Sequence, residues 1–184
     1  MCKYLDLPMQ HISQHILTDM NRSDTSEHIR EVCHKFKERG MMLRTTLMVG
    51  FPGETDADFD ELMDFVRETK FDRMGAFMFS PEEGTMAAQM PDQIDEAVKQ
   101  ARYDALMTLQ HGISLEQNRA RVGTTCRVLV EKRRGSRYTG RSEFEAPETD
   151  GQITFSSEEP CEIGSFVDVK ITGAKAYDLT GVRV

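Results

Sequence analysis

Gly50-Phe51-Pro52-Gly53-Glu54 offers main-chain N–H groups and a carboxylate directly after the run Thr45-Thr46-Leu47-Met48-Val49. In α/β proteins ligands collect at such strand ends. The chemistry on offer is contact with a polar cofactor; the alternative is a tight turn whose Glu satisfies its own backbone donors. A phosphate loop is excluded, because the G-K-[ST] ending and the required length are missing. Gln10 and His11 follow an earlier extended run, and Ser80 follows Phe79. Three polar clusters at three strand ends argue for one shared rim. Arg44 lies early in its strand, where a cation can meet an anionic ligand group or a neighbouring Asp. His11 and His15 stand four apart, but the intervening Ile-Ser-Gln lacks the Glu of a zinc helix and no third ligand stands out. No catalytic side chain and no metal ligand is assigned.

The elements that must position these groups follow from periodicity. Residues 3–8 read as a strand. Ile16, Leu17 and Met20 mark a helix, and Ile29, Val32, Cys33 and Phe36 a second one ended by Gly40. Residues 41–49 form a strand. Thr55 caps a helix whose buried stripe is Phe59, Leu62, Met63 and Val66. Residues 71–79 form a strand apolar on both faces, as buried parallel strands are. This order predicts a parallel sheet with right-handed crossovers. Residues 91–118 predict a long helical region, with Pro91 early, Gly112 as a division, and Ile94, Val98, Ala101, Ala105 and Leu109 along one face. Met48, Met63, Met74 and Met78 fall on core faces. Beyond about residue 123 the pattern changes to some five short strands punctuated by glycines. That predicts a small antiparallel barrel over 123–184, after an α/β part over 1–122.

The net charge of −8 lies wholly in the first 120 residues; residues 121–184 hold ten basic and ten acidic side chains. A strong non-specific nucleic-acid binder would carry a basic surplus. Lys132, Arg133, Arg134, Arg137 and Arg141 nevertheless form a local basic cluster, read as a hairpin tip. Cysteines at 2, 33, 126 and 161 share no metal-ligand spacing, which suits a reduced, intracellular setting. No apolar run approaches the roughly 20 residues that span a bilayer, and no signal-peptide pattern opens the chain. The opening falls almost inside a strand, which predicts an incomplete domain.

Together, Leu7-Pro8-Met9-Gln10-His11, Val49-Gly50-Phe51-Pro52-Gly53-Glu54-Thr55 and Phe79-Ser80-Pro81-Glu82-Glu83-Gly84-Thr85 resemble the second half of the catalytic barrel in the radical-SAM methylthiotransferases. Residues 119–130, Gly140-Arg141 and Asp168-Val169-Lys170-Ile171-Thr172 resemble that family's TRAM domain. The resemblance implies an α/β part that is a partial (β/α) barrel, then a five-stranded antiparallel, OB-like TRAM barrel. It implies S-adenosyl-L-methionine (SAM) contacts at Gln10, Arg44, Met48, Gly50, Glu54 and Ser80. Two features resemble the branch that β-methylthiolates an aspartate on protein twelve of the small ribosomal subunit. They are Cys2-Lys3-Tyr4-Leu5-Asp6-Leu7-Pro8 and the acidic stretch Glu145-Ala146-Pro147-Glu148-Thr149-Asp150-Gly151. Glu145, Glu148 and Asp150 would then contact that basic protein. It would be the partner of TRAM, with RNA secondary and a cytoplasmic, membrane-free location.

The family uses SAM and two [4Fe–4S] clusters. Radical-SAM clusters need three thiolates spaced C-x-x-x-C-x-x-C, and this sequence has no such triplet. The resemblance places them upstream of residue 1, so the chain is expected to be a C-terminal portion, inactive alone. A tRNA-adenosine methylthiotransferase portion and a non-catalytic TRAM binding module stay open as alternatives.

Overall fold

The computed structural model describes residues 2–184. Its backbone falls into two compact units: Leu5–His111, and Gly112–Val184 with residues 2–4. The first is built from β1 (Tyr4–Asp6), α1 (Gln14–Asp19), α2 (Ser26–Glu38), β2 (Met42–Val49), α3 (Asp56–Thr69), β3 (Arg73–Met78) and α4 (Met86–Gln89), and α5 (Glu96–Ala120) runs out of it. The sheet order is β1-β2-β3, and β2 and β3 are parallel with Val49 opposite Met78. This is the alternating order the sequence predicts.

Along β2 the burial alternates residue by residue. Leu43, Thr45, Leu47 and Val49 are buried, while Met42, Arg44, Thr46 and Met48 are half-exposed. One face of the sheet is therefore covered and the other is open, as the two-residue strand period requires. The covering helices are amphipathic. Ile29 and Cys33 of α2, and Leu62, Met63, Phe65 and Val66 of α3, are buried. Thr55 caps α3 in a reciprocal box with Asp58.

Four expectations are corrected here. The third strand is not buried on both faces: Phe77 is 40% exposed, because β3 is an edge and its open face has no partner layer among the described residues. Phe59 is only half-buried, and Phe65 takes its place in the core stripe. Pro91 lies outside any helix, and the short α4 precedes it. Gly112 does not divide α5, which runs unbroken for 25 residues.

The buried side of α5 is also not the expected apolar one. Val98 is 39% exposed, whereas Lys99, Arg102, Leu106, Gln110, Ile113, Ser114 and Asn118 are buried. These recur at helical spacing, but most carry polar heads. The heads reach main-chain carbonyls. Gln110 donates to Phe71 O at 2.8 Å, and Asn118 donates to Lys175 O and Ala176 O at 3.0 and 2.9 Å. A glycine costs a helix about 1 kcal/mol relative to alanine, and anchors on both sides of Gly112 offset it.

The second unit is a closed barrel of β4 (Thr125–Arg134), β5 (Arg137–Arg141), β6 (Ile153–Ser156), β7 (Phe166–Ala174) and β8 (Leu179–Arg183), in the order β4-β5-β6-β8-β7. It is mixed rather than wholly antiparallel, since β6 and β8 run parallel. Alternation along a strand fixes which side chains point inward, not the direction of its neighbour, so this pairing left no trace in the pattern. Val128, Val130, Tyr138, Ile153, Phe155, Val169, Ile171 and Leu179 fill the interior. Gly140 sits where the backbone of β4 leaves no room for a side chain: a Cβ there would stand 2.0 Å from Leu129 O. The basic cluster does occupy a hairpin, with Gly135 at φ 64° in the turn between Arg134 and Arg137.

Candidate functional site

The C-terminal ends of the three strands form one rim. After β1 the chain keeps pairing with β2. Leu7 N–H donates to Arg44 O, Gln10 N–H donates to Thr46 O, and Met48 N–H donates to Gln10 O at 2.7 Å. Gln10 adopts φ 69°, which turns the chain off the sheet at that point. Phe79 N–H donates to Val49 O at 2.9 Å, so Ser80 comes to the same edge, where it is exposed.

The central turn is held from within. Gly50 and Gly53 have φ 75° and 81°, a region costly for other residues. Gly50 N–H donates to Glu54 Oε2 at 2.7 Å, and Glu54 is 2% exposed. Arg102 of α5 donates to Glu54 Oε1 at 2.8 Å and to its carbonyl at 3.1 Å. His11 is fully buried, and its Nδ1 accepts from Ser13 N–H at 3.0 Å. The ring proton therefore sits on Nε2, which faces Glu54 Oε2 at 3.6 Å without a hydrogen bond. Below the turn, Phe51 and Phe79 meet edge to face at 5.2 Å, in a cluster with Ile16 and the half-buried Met48.

A second buried carboxylate fixes the neighbouring helix start. Asp58 accepts from Ser13 Oγ at 2.5 Å and from Thr55 N–H and Oγ at 2.9 and 2.6 Å, and His15 Nδ1 lies 3.3 Å away. Burial pushes this carboxyl up, but the hydrogen bonds from Ser13, Thr55 and His15 prevail and hold it well below the usual carboxylate range.

Of the six expected cofactor contacts, Gln10, Met48, Gly50, Glu54 and Ser80 gather at the rim. Arg44 does not. It lies four residues before Met48, roughly 13 Å along the strand, and pairs with Asp6. Glu54 has both oxygens committed to protein groups, so it acts by shaping the turn. Sequence reasoning placed His11 at the rim without a role and missed Lys99 and Arg102. Their spacing of three, followed by steps of four to Leu106 and Gln110, was the available signal.

The three acidic residues of the second unit differ in access. Glu145 is 4% exposed, paired with Arg121 and accepting from Ser142 N–H and Oγ at 2.9 and 2.6 Å. Burial pushes its carboxyl up, yet the Arg121 charge and the Arg121 and Ser142 hydrogen bonds outweigh that and hold it below the ordinary value. Asp150 accepts from Ala146 N–H at 2.9 Å and is half-buried. Glu148 alone of the three is exposed, on a left-handed residue with φ 64°.

The family model of the radical SAM superfamily matches residues 1–66, and that of the TRAM domain matches residues 122–184. The ribosomal protein uS12 methylthiotransferase RimO of Desulforamulus reducens is 49% identical over 98% of this chain and 42% of its own length. RimO of Bacteroides thetaiotaomicron is 47% identical over 97% of the chain and 42% of its own length. RimO of Pelotomaculum thermopropionicum is 49% identical over 100% and 42%. Along about its whole length the chain is similar to radical-SAM methylthiotransferases. It spans about 42% of the length of these curated relatives.

Radical-SAM methylthiotransferases imply SAM and iron–sulfur chemistry, and the thiols in this fold do not suit a cluster. Cys2 is exposed, Cys161 is buried inside the barrel, and the Cys33 thiol points at Met9 Sδ 3.7 Å away. Burial pushes Cys33 up to about 11 and raises Cys126, the reverse of what thiolate ligands need. Among the described residues no three His, Cys, Asp or Glu side chains are placed to hold a metal ion together. The rim fits SAM better. Met48 and Phe77 are opposite one another on the open face, and the position a Cβ of Gly75 would take is clear of neighbours within 4 Å. That leaves a floor on which a nucleoside can lie, with the polar turn beside it. Among the described residues no helix is long and apolar enough to cross a membrane.

Proposed function

We propose that this chain supplies the SAM-binding rim and the TRAM domain of an enzyme that β-methylthiolates an aspartate of ribosomal protein uS12. The observation that carries this reading is identity of 45–49% along about the whole chain to proteins named for that activity. SAM, cleaved at an iron–sulfur cluster, would supply the radical. Gln10, Met48, Gly50 and Ser80 would hold the nucleoside end, with Glu54 keeping the turn in shape. The cluster would be held by thiols other than the four of this chain. After anaerobic reconstitution with iron and sulfide, the chain by itself is expected to yield no 5′-deoxyadenosine from SAM. A stoichiometric cluster with turnover would overturn that division of labour.

TRAM is proposed to meet the basic protein uS12 through its acidic 142–150 loop, with Glu148 as the residue in reach. A surface charge of this kind is worth roughly 0.2–1 kcal/mol, so Glu148→Lys should weaken uS12 binding by only a few-fold. Binding is best titrated with the full chain against uS12 and against a tRNA stem-loop at two salt concentrations. Tighter binding to the stem-loop would transfer the assignment to the tRNA-modifying branch.

A further inference from the structure

Two cations on one side of α5 reach the back of the rim. Lys99 is 3% exposed, and its Nζ donates to Phe79 O at 3.1 Å and pairs with Glu96 at 3.2 Å. It also lies 5.6 Å from the centre of the Phe79 ring. Its stem passes over the central turn so closely that a Cβ on Gly50 would stand 2.3 Å from Lys99 Cγ. Arg102 is 7% exposed and grips Glu54 by side chain and carbonyl, while its other arm donates to Asp56 at 2.7 Å. The guanidinium lies over the Phe59 ring at 5.6 Å.

Burying an ammonium and a guanidinium costs free energy unless each head is fully engaged. A methionine or leucine at either place would fill the volume without that cost. What the charged heads add is a fixed geometry. Lys99 sets where Phe79 hands over to Ser80. Arg102 locks the carboxylate that holds Gly50 N–H. Gly53 N–H is meanwhile tied to Asp92 O at 3.0 Å, just ahead of α5. Both rim turns are therefore registered against one rigid helix.

We propose that Lys99 and Arg102 are positioning residues of the cofactor site, setting from behind the two turns that receive the nucleoside. This rests on the SAM reading above. The test uses the full chain and S-adenosylhomocysteine as the probe, with calorimetric titration, thermal melting and amide exchange at Gly50. Lys99→Met and Arg102→Met are each expected to weaken binding at least tenfold, and Lys99→Arg and Arg102→Lys to recover part of it. Gly50→Ala, which displaces the Lys99 stem, should mimic Lys99→Met.

Gln110→Met is the control. It removes a donor from the same helix side but serves Phe71, away from the rim, so it should lower the melting temperature while leaving binding within twofold of wild type. Binding unchanged in both Lys99→Met and Arg102→Met would overturn the proposal. So would a loss in Gln110→Met as large as theirs. If the wild-type chain takes up no S-adenosylhomocysteine, the cofactor reading itself has failed. Exchange of Gly50 N–H, expected to quicken at least tenfold in Arg102→Met, then decides separately whether α5 holds the turn.

Discussion

Arg121→Met is expected to destabilise the barrel unit by about 3–5 kcal/mol, the usual cost of leaving a buried charge without its partner. Glu145 would keep its Ser142 bonds but lose the cation that opposes its burial. The pH dependence should then change sign. In the wild type the Glu145 carboxyl lies below its ordinary value of 4.5. Its contribution to stability is thus present above that pH and lost as pH falls through the folded value. Without Arg121 the burial that pushes the carboxyl up loses its main counterweight. The folded value then exceeds the unfolded one, and stability is gained on acidification and lost as pH rises. Amide exchange at Val128 and Ile171, in the barrel interior, reads this locally. Adding Glu145→Gln should return at least half of the loss at neutral pH. A double variant as unstable as Arg121→Met would show that Arg121 acts through packing on Phe144, whose ring lies 5.5 Å from the guanidinium.

Gly140→Ala should be among the most damaging methyl groups in the chain's second half, beside one on Gly151, whose Cβ would stand 1.9 Å from Tyr177 O. The Cβ added at Gly140 would stand 2.0 Å from Leu129 O and 2.8 Å from Val128 Cγ1. The first of these is main chain, so a side-chain rotation cannot relieve it. Gly140 is paired with Val130 on one side and Ile153 on the other, so moving it strains two ladders of a closed barrel. Overpacking costs typically about 1–3 kcal/mol, and the upper end or beyond is expected here. Gly112→Ala is the natural contrast. It meets nothing within 4 Å, lies inside α5 and should stabilise by about 0.4–1 kcal/mol. Chemical denaturation of both variants at one pH measures the difference; equal effects would mean that the β4–β5 approach is looser than its geometry.

The α/β order and the five barrel strands were legible because hydrophobic periodicity carries them. Ile29 and Cys33, or Val128 and Val130, announce a covered face by spacing alone. The rim was legible for the same reason, since turn residues follow apolar runs at 10–11, 50–54 and 80. What stayed hidden was whatever does not bury hydrocarbon. Lys99 and Arg102 were passed over, because their targets, a carbonyl at Phe79 and a carboxylate at Glu54, lie far off in the chain. Glu145 and Glu148 look alike in sequence, yet one is a buried strut and the other is exposed, and the partners Arg121 and Ser142 separate them. Arg44 could have met a ligand or an Asp, and in the structure it pairs with Asp6.

The polar inner side of α5 also bears on how its docking responds to temperature. Exposing apolar surface raises the heat capacity, whereas exposing polar surface lowers it. Leu106 and Ile113 contribute the first effect; Lys99, Arg102, Gln110, Ser114 and Asn118 contribute the second. Undocking this helix should therefore carry a small heat-capacity change for its length. Hydrophobic contacts weaken on cooling, and an attachment made largely of bonds to main-chain oxygens is spared most of that loss.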